Sequence, residues 1–202
     1  AGNATASLSY VLPLADGSSG HALKTDGSGT LSWGTAGVST LASLTDVSMD
    51  ITNFVDGLLI QPNSDGSAPS TGTLSTATGN VGIGKSTFAA LTTADYCVGI
   101  GYDALAANTT AGANTAIGGS AGKALTTGAD NTAIGYQAML VATTAASTTA
   151  IGGESLKALT TGADNTAVGR LALAANTTGT RNTAVGKGSM EATTTGGENV
   201  GV

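Results

Sequence analysis

Few side chains in this 202-residue chain could carry out chemistry: it holds one histidine, one cysteine and only 10% charged residues. His21, the sole candidate for a histidine general base, stands beside Gly20 ahead of a turn-rich stretch, where a solvated or packing role is the simpler reading. Catalytic carboxylate pairs need a concave site that perturbs their pKa values, and no spacing of acids marks one. The run Gly82-Ile83-Gly84-Lys85-Ser86 is superficially like a phosphate-binding loop, yet it lacks the leading glycine of that motif and lies inside a repeat. A lone Cys97 can form neither an intrachain disulfide nor a zinc site. Tyr102 and Tyr136 are the aromatic candidates for contact with a glycan. Asn3-Ala4-Thr5, Asn108-Thr109-Thr110 and Asn176-Thr177-Thr178 match the N-glycosylation acceptor pattern. No catalytic, cofactor-binding or metal-ligating set emerges, so the chain reads as non-enzymatic, with no cofactor and no metal.

Composition narrows the class further. There are 31 glycines, aromatic residues make up 3%, and alanine is the commonest residue of the 41% that is hydrophobic. Such a chain buries many small groups and few large ones, which favours repeated, close-packed architecture over one bulky core. Phe54–Ile60, among the most apolar stretches, is short and broken by Asp56, far from the roughly 20 apolar residues of a membrane helix. A net charge of −6 argues against a nucleic-acid partner. The chain opens at Ala1 without a basic or apolar leader, so any signal peptide is expected to have been removed or never present. It stops inside its own pattern, as a segment of a longer protein would.

That pattern is a repeat with a period of seventeen. Its aliphatic residue falls at Ile83, Ile100, Ile117, Ile134, Ile151, Val168, Val185 and Val202. With this residue as place 1, Thr-Thr recurs at places 10 and 11, from Thr92-Thr93 to Thr194-Thr195. The consensus reads Asn-Thr-Ala-Ile-Gly, variable residues around an Ala-Leu, then Thr-Thr-Gly and a polar turn. So short a period cannot hold a helix pair, and the glycines and β-branched residues oppose helix, so each repeat is predicted to be one coil of a β-solenoid or β-roll.

In Thr115-Ala116-Ile117-Gly118 a strand places Thr115 and Ile117 on one face and Ala116 on the other. Val98 and Val200 in the Thr column mark that face as apolar, so Ile83, Ile100, Ile117, Ile134, Ile151, Val168 and Val185 are expected to form the core. The Ala/Gly face stays tiny, as close approach of a strand or a neighbouring chain requires. Asn114, Asn131, Asn165, Asn182 and Asn199 share place 15, where stacked amides could bond coil to coil or hold a left-handed turn. Cys97 shares that column. Asp164, Arg181 and Glu198 form a column of alternating sign, while Tyr102 and Tyr136 alternate with Gly119 and Gly153 in another. Each coil offers about two large apolar groups against a whole repeat of backbone to be ordered. Homo-oligomerisation through the Ala/Gly face, three chains around an axis, is the expected remedy.

The stretch from Ala1 to Gly82 differs: Lys24 is its one base against six acids, Asp16, Asp26, Asp46, Asp50, Asp56 and Asp65. Asp16-Gly17, Asp26-Gly27 and Asp65-Gly66 are turn signals between short alternating stretches such as Leu31-Ser32-Trp33, predicting small β-hairpins or extended linkers. The Thr40–Ile60 stretch is compatible with a short helix or strand around Ile51–Ile60. The organisation expected is a β-rich connector or docking region over 1–61, a Ser/Gly/Thr-rich connector over 62–82 and a solenoid shaft over 83–202.

The segment from Ala22 to Gly34, Ala-Leu-Lys-Thr-Asp-Gly-Ser-Gly-Thr-Leu-Ser-Trp-Gly, resembles a connector of bacteriophage tail fibres, as does Gly79-Asn80-Val81-Gly82-Ile83-Gly84. The Asn-Thr-Ala-Ile-Gly repeats are similar to those upstream of the intramolecular chaperone domain of endosialidase-type fibres. They are also similar to the shorter head repeats of trimeric autotransporter adhesins, which build a left-handed β-roll. The resemblance implies a parallel homotrimeric shaft, a virion location and a role in host attachment, with host-surface glycans or other virion and fibre proteins as partners beside the chain itself. A bacterial surface adhesin or a self-assembling extracellular filament is the alternative, with the stretch before Ile83 docking onto the next subunit.

Overall fold

The computed structural model describes residues 76–202 continuously and, before them, five short strands. It divides into two units, Ala1–Ser43 and Leu44–Val202. In the first, β1 (His21–Thr25) and β2 (Leu31–Thr35) pair antiparallel with Thr25 opposite Leu31. The residues that join the two strands, with the turn signal at Asp26-Gly27, lie outside the described residues. The turn signals at Asp16-Gly17 and Asp65-Gly66, and the Asn3 acceptor pattern, lie outside the described residues, as does the side chain of His21.

The second unit is a β-solenoid. Eight strands, β7 (Val81–Ile83), β8 (Val98–Ile100), β9 (Thr115–Ile117), β10 (Thr132–Ile134), β11 (Thr149–Ile151), β12 (Thr166–Val168), β13 (Thr183–Val185) and β14 (Val200–Gly201), stack parallel in chain order. Each residue pairs with its equivalent in the next coil, Thr132 with Thr149 and Ala133 with Ala150. The sheet also extends past the repeats. Strand β5 (Leu58–Ile60) pairs parallel with β7, and β3 (Val47–Ser48) closes that edge antiparallel. Strands β4 (Phe54–Val55) and β6 (Ala77–Thr78) form a separate parallel pair. The Thr40–Ile60 stretch therefore contributes strands, and the sheet starts before residue 83. No helix occurs among the described residues.

Each full strand of the stack has three residues, so one side chain points inward and two outward. The inward one is the Ala/Gly at place 17: Ala116, Ala133, Ala150, Ala167 and Ala184 are fully buried. They face Leu105, Met139, Leu156 and Leu173 at place 6 and Leu91, Leu125 and Leu159 at place 9, all buried in one continuous core. This corrects the expected core. Ile83, Ile117 and Val185 keep 38%, 36% and 42% of their surface exposed, Ile151 is exposed likewise, and Ile100, Ile134 and Val168 are only half-buried. The coil is too narrow for Ile and Leu to meet across it, so alanine takes the inward place. A Cβ on Gly82 would lie 2.5 Å from Leu59 and 2.9 Å from Phe88. The Ala/Gly face is thus the coil's own interior, which removes it as a surface for oligomerisation.

The remaining backbone turns corners with left-handed residues at places 4, 6 and 14 of every coil, as at Asp103, Leu105 and Ala113. Such residues cost about 1–2 kcal/mol each when they carry a Cβ. Their purpose is to swing the amide along the stacking axis. Asp103 N–H donates to Lys85 in the preceding coil, Leu105 N–H to Ala121 in the following one, and Ala113 N–H to Asp95 in the preceding one, each at 2.9–3.1 Å. At place 2 glycine is obligatory on two grounds. Gly135 has φ +131°, and a Cβ there would stand 2.6 Å from the backbone of Gly152 directly above it. Gly135→Ala is expected to destabilise the solenoid by at least about 2 kcal/mol in denaturant unfolding. Gly119→Ala, where a Cβ meets only Tyr136 at 3.5 Å, should change stability by less than about 0.5 kcal/mol.

Candidate functional site

The described surface contains no pocket and no cluster of metal-ligating side chains. No helix is long and apolar enough to cross a membrane among the described residues. What the coils place together is a set of columns, and each predicted residue falls into one of them.

The place-15 column runs through the interior beside the strands. Asn131 donates from both its backbone N–H and its Nδ2 to Asn114 Oδ1, at 2.9 and 3.1 Å. Asn182 does the same to Asn165, at 3.0 and 3.1 Å, and Asn199 to Asn182, at 3.1 and 2.9 Å. The Nδ2 of Asn114, Asn131, Asn165 and Asn182 also reaches a carbonyl at place 12 of the next coil, as from Asn114 to Gly128 at 2.9 Å and from Asn131 to Ala145 at 2.8 Å. The asparagines therefore lace coils together, while the left-handed residue of the turn is the one before them. Where the column changes residue, part of its bonding is kept. Thr148 Oγ1 accepts from the Asn165 N–H at 3.4 Å, and Cys97 Sγ donates to Ala111 O at 3.3 Å, the task of Nδ2 elsewhere. Burial pushes the Cys97 thiol pKa up, against the lowering effect of hydrogen bonds from Asn114 and Asn108.

Three further buried asparagines escaped the sequence reading. Asn80 extends the ladder one coil earlier by accepting from Cys97 N–H at 2.8 Å, and its place one full period before Cys97 was the signal for it. Asn108 and Asn176 close the loop of their own coil, each exchanging bonds with the residue three further on, Ala111 and Gly179. Both belong to glycosylation-acceptor patterns, and both side chains are fully buried. At place 10 each threonine hydroxyl donates to the next threonine's carbonyl, as from Thr160 to Thr177 at 2.9 Å.

The outward columns hold the charges and the tyrosines. Tyr102 and Tyr136 are exposed by 57% and 62%, and Tyr96, at place 14, by 71%. Arg181 meets Glu198 at 2.6 Å, whereas no ion pair joins Arg181 to Asp164. Lys123 binds Asp103 at 2.8 Å, which raises the lysine's pKa. The Lys157 hydrogen bond, with a smaller pull from Arg170, holds the Glu154 carboxyl below its usual range. The Asp103 carboxylate is buried, but its lysine and the other pairs are exposed or half-exposed, so these contacts add little to stability. Lys85, in the segment that looked like a phosphate loop, is an exposed residue of the same column as Tyr102.

No family model matches the chain, and no curated protein or solved structure is significantly similar to it.

Asn131→Ala would leave the Thr148 N–H and the Ala145 carbonyl without their buried partners. It should cost about 1–3 kcal/mol in unfolding free energy, and Asn131→Thr less, since Thr148 shows that a hydroxyl can keep part of the lattice. Because Cys97 is buried and its pKa raised, the thiol should resist alkylation at pH 8 in the folded protein and react once it is denatured, as read by mass spectrometry.

Proposed function

We propose that this chain is a structural fibre component: a shaft segment of a phage tail fibre that transmits host attachment rather than performing catalysis. The observation that carries this reading is the uninterrupted run of eight parallel strands, β7 to β14, each bonded to its equivalent in the neighbouring coil. Repeat stacks of this kind are quasi-one-dimensional, with stability set by contacts between neighbouring coils, which suits a stiff spacer. At about 4.8 Å per coil the described repeats would extend the shaft by roughly 34 Å. The likeness of the 22–34 segment to tail-fibre connectors supports the phage setting over a cellular one, since the Asn-Thr-Ala-Ile-Gly repeats are similar to those of both. In the shaft, chains associate with one another, and the virion is the location.

The test is the mass of the purified chain by light scattering together with negative-stain imaging. Rods of fixed length and a defined small number of chains are the expected result. Filaments that lengthen with concentration would favour a self-assembling extracellular polymer, and a stable monomer would overturn the shaft reading.

A further inference from the structure

We propose that the outward face of the strand stack is the surface through which copies of this chain associate, parallel and in register; the inference rests on the fibre reading and assigns its contact surface. The face has four columns. Thr or Val at place 16 and Ile or Val at place 1 form its middle, and Ile83, Ile117, Ile151 and Val185 remain exposed there. Place 14 borders it on one side and place 3 on the other. Between these borders the middle carries no charge, and both of its columns are held to β-branched residues throughout the repeats.

The borders are opposite in character. Place 3 carries Lys85, Arg170 and Lys187 and no acid. Place 14 carries Asp130, Asp164 and Glu198, and its one base, Arg181, is bound by Glu198. Rotating a second copy about an axis along the stack lays the place-3 border of one chain against the place-14 border of the other at every level. An antiparallel copy would lay acidic border on acidic border.

The residues that would then meet match level by level. Asp164 faces Arg170, whose contact with Glu154 in its own chain is a long 3.7 Å, and Asp130 faces the Tyr136 hydroxyl. Tyr96 faces Tyr102, the two bulky borders coinciding. Ala113 faces Gly119 and Ser147 faces Gly153, so small meets small. The one repulsive level sets Arg181 against Lys187, and there Arg181 is already neutralised at 2.6 Å. Within one chain the paired residues are separated by the Thr and Ile/Val columns, and no ion pair joins Asp164 to Arg170. Their matching therefore has no cause inside a single coil and a direct one between copies. Eight strand levels and about 20 Å of width give roughly 700 Å² per copy, close to the ~800 Å² per partner of a stable interface.

The test uses exposed or half-exposed positions on this face, and its one interior change, Cys97→Thr, places in that column the residue that Thr148 already supplies. Asp164→Arg and Arg170→Asp should each weaken association at least about tenfold by light scattering, and the double exchange should restore it. In a Cys97→Thr background, Ala113→Cys with Gly119→Cys should give disulfide-linked multimers on mild oxidation, whereas Ala113→Cys with Gly153→Cys, two coils out of register, should not. If the wild type associates but neither the charge exchange nor the matched cysteines have any effect, this face is not the contact and the fibre reading stands. A wild-type chain that stays monomeric overturns both.

Discussion

Everything in the solenoid follows from one requirement: each place in a coil must lie about 4.8 Å from the same place in the next. A side chain is then surrounded above and below by its own equivalents, and only residues that tolerate themselves at that spacing survive. The place-2 glycines are the strictest case. Gly118 and Gly135 approach so closely that a Cβ on the first would sit 2.7 Å from the backbone of the second. Asparagine at place 15 is the opposite solution, a side chain that is both donor and acceptor and so bonds its own copy, as Asn182 does with Asn165. Aspartate could not do this, because two carboxylates lack a proton to share at neutral pH.

Stacking also explains a backbone that is unusual residue by residue. Left-handed conformations at Leu105, Met139, Leu156 and Leu173 would be a liability in isolation. Here each turns an amide toward a neighbouring coil, so the corners are hydrogen-bonded along the same axis as the strands. Met139 N–H reaches Ser155 at 3.0 Å and Leu156 N–H reaches Ala172 at 3.0 Å. The cost of each left-handed residue is offset only when a neighbour is present, which ties local conformation to stacking. Where place 4 or 6 is glycine, at Gly188 and Gly122, that cost disappears, and Leu105 and Leu125 approach the space that a side chain at Gly122 would fill.

Much of this was legible in the sequence because the period is fixed. The coil length, the parallel stacking and the place-15 column all follow from equivalence between one repeat and the next. The inward face of the strand was not legible. A three-residue strand gives either one inward and two outward side chains or the reverse, and alternation alone cannot choose between them. Hydrophobicity favoured Ile117 as the buried residue, yet room decided for Ala116, since the opposite wall already supplies Leu105 and Leu125. The constancy of Ala or Gly at place 17 recorded that limit. Asn108 and Asn176 were hidden for a different reason: place 9 is leucine in three other coils, so their column appeared apolar.

The pattern of what varies separates stability from recognition. Places 2, 10 and 17 are glycine, threonine and alanine-or-glycine in every repeat, and their bonds or tight approaches account for the constraint. Places 3 and 14, which face solvent in the single chain, range over Lys, Tyr, Gly and Arg and over Tyr, Ala, Asp, Ser, Arg and Glu. Solvent alone would let the two places drift independently, so bulk at one would carry no information about bulk at the other. Instead Tyr96 shares its level with Tyr102, and Ala113 shares its own with Gly119. A stack whose interior is fixed by self-stacking leaves its outward columns free to specify a partner, and under the proposed association a partner built from the same chain would impose this correlation between the two borders.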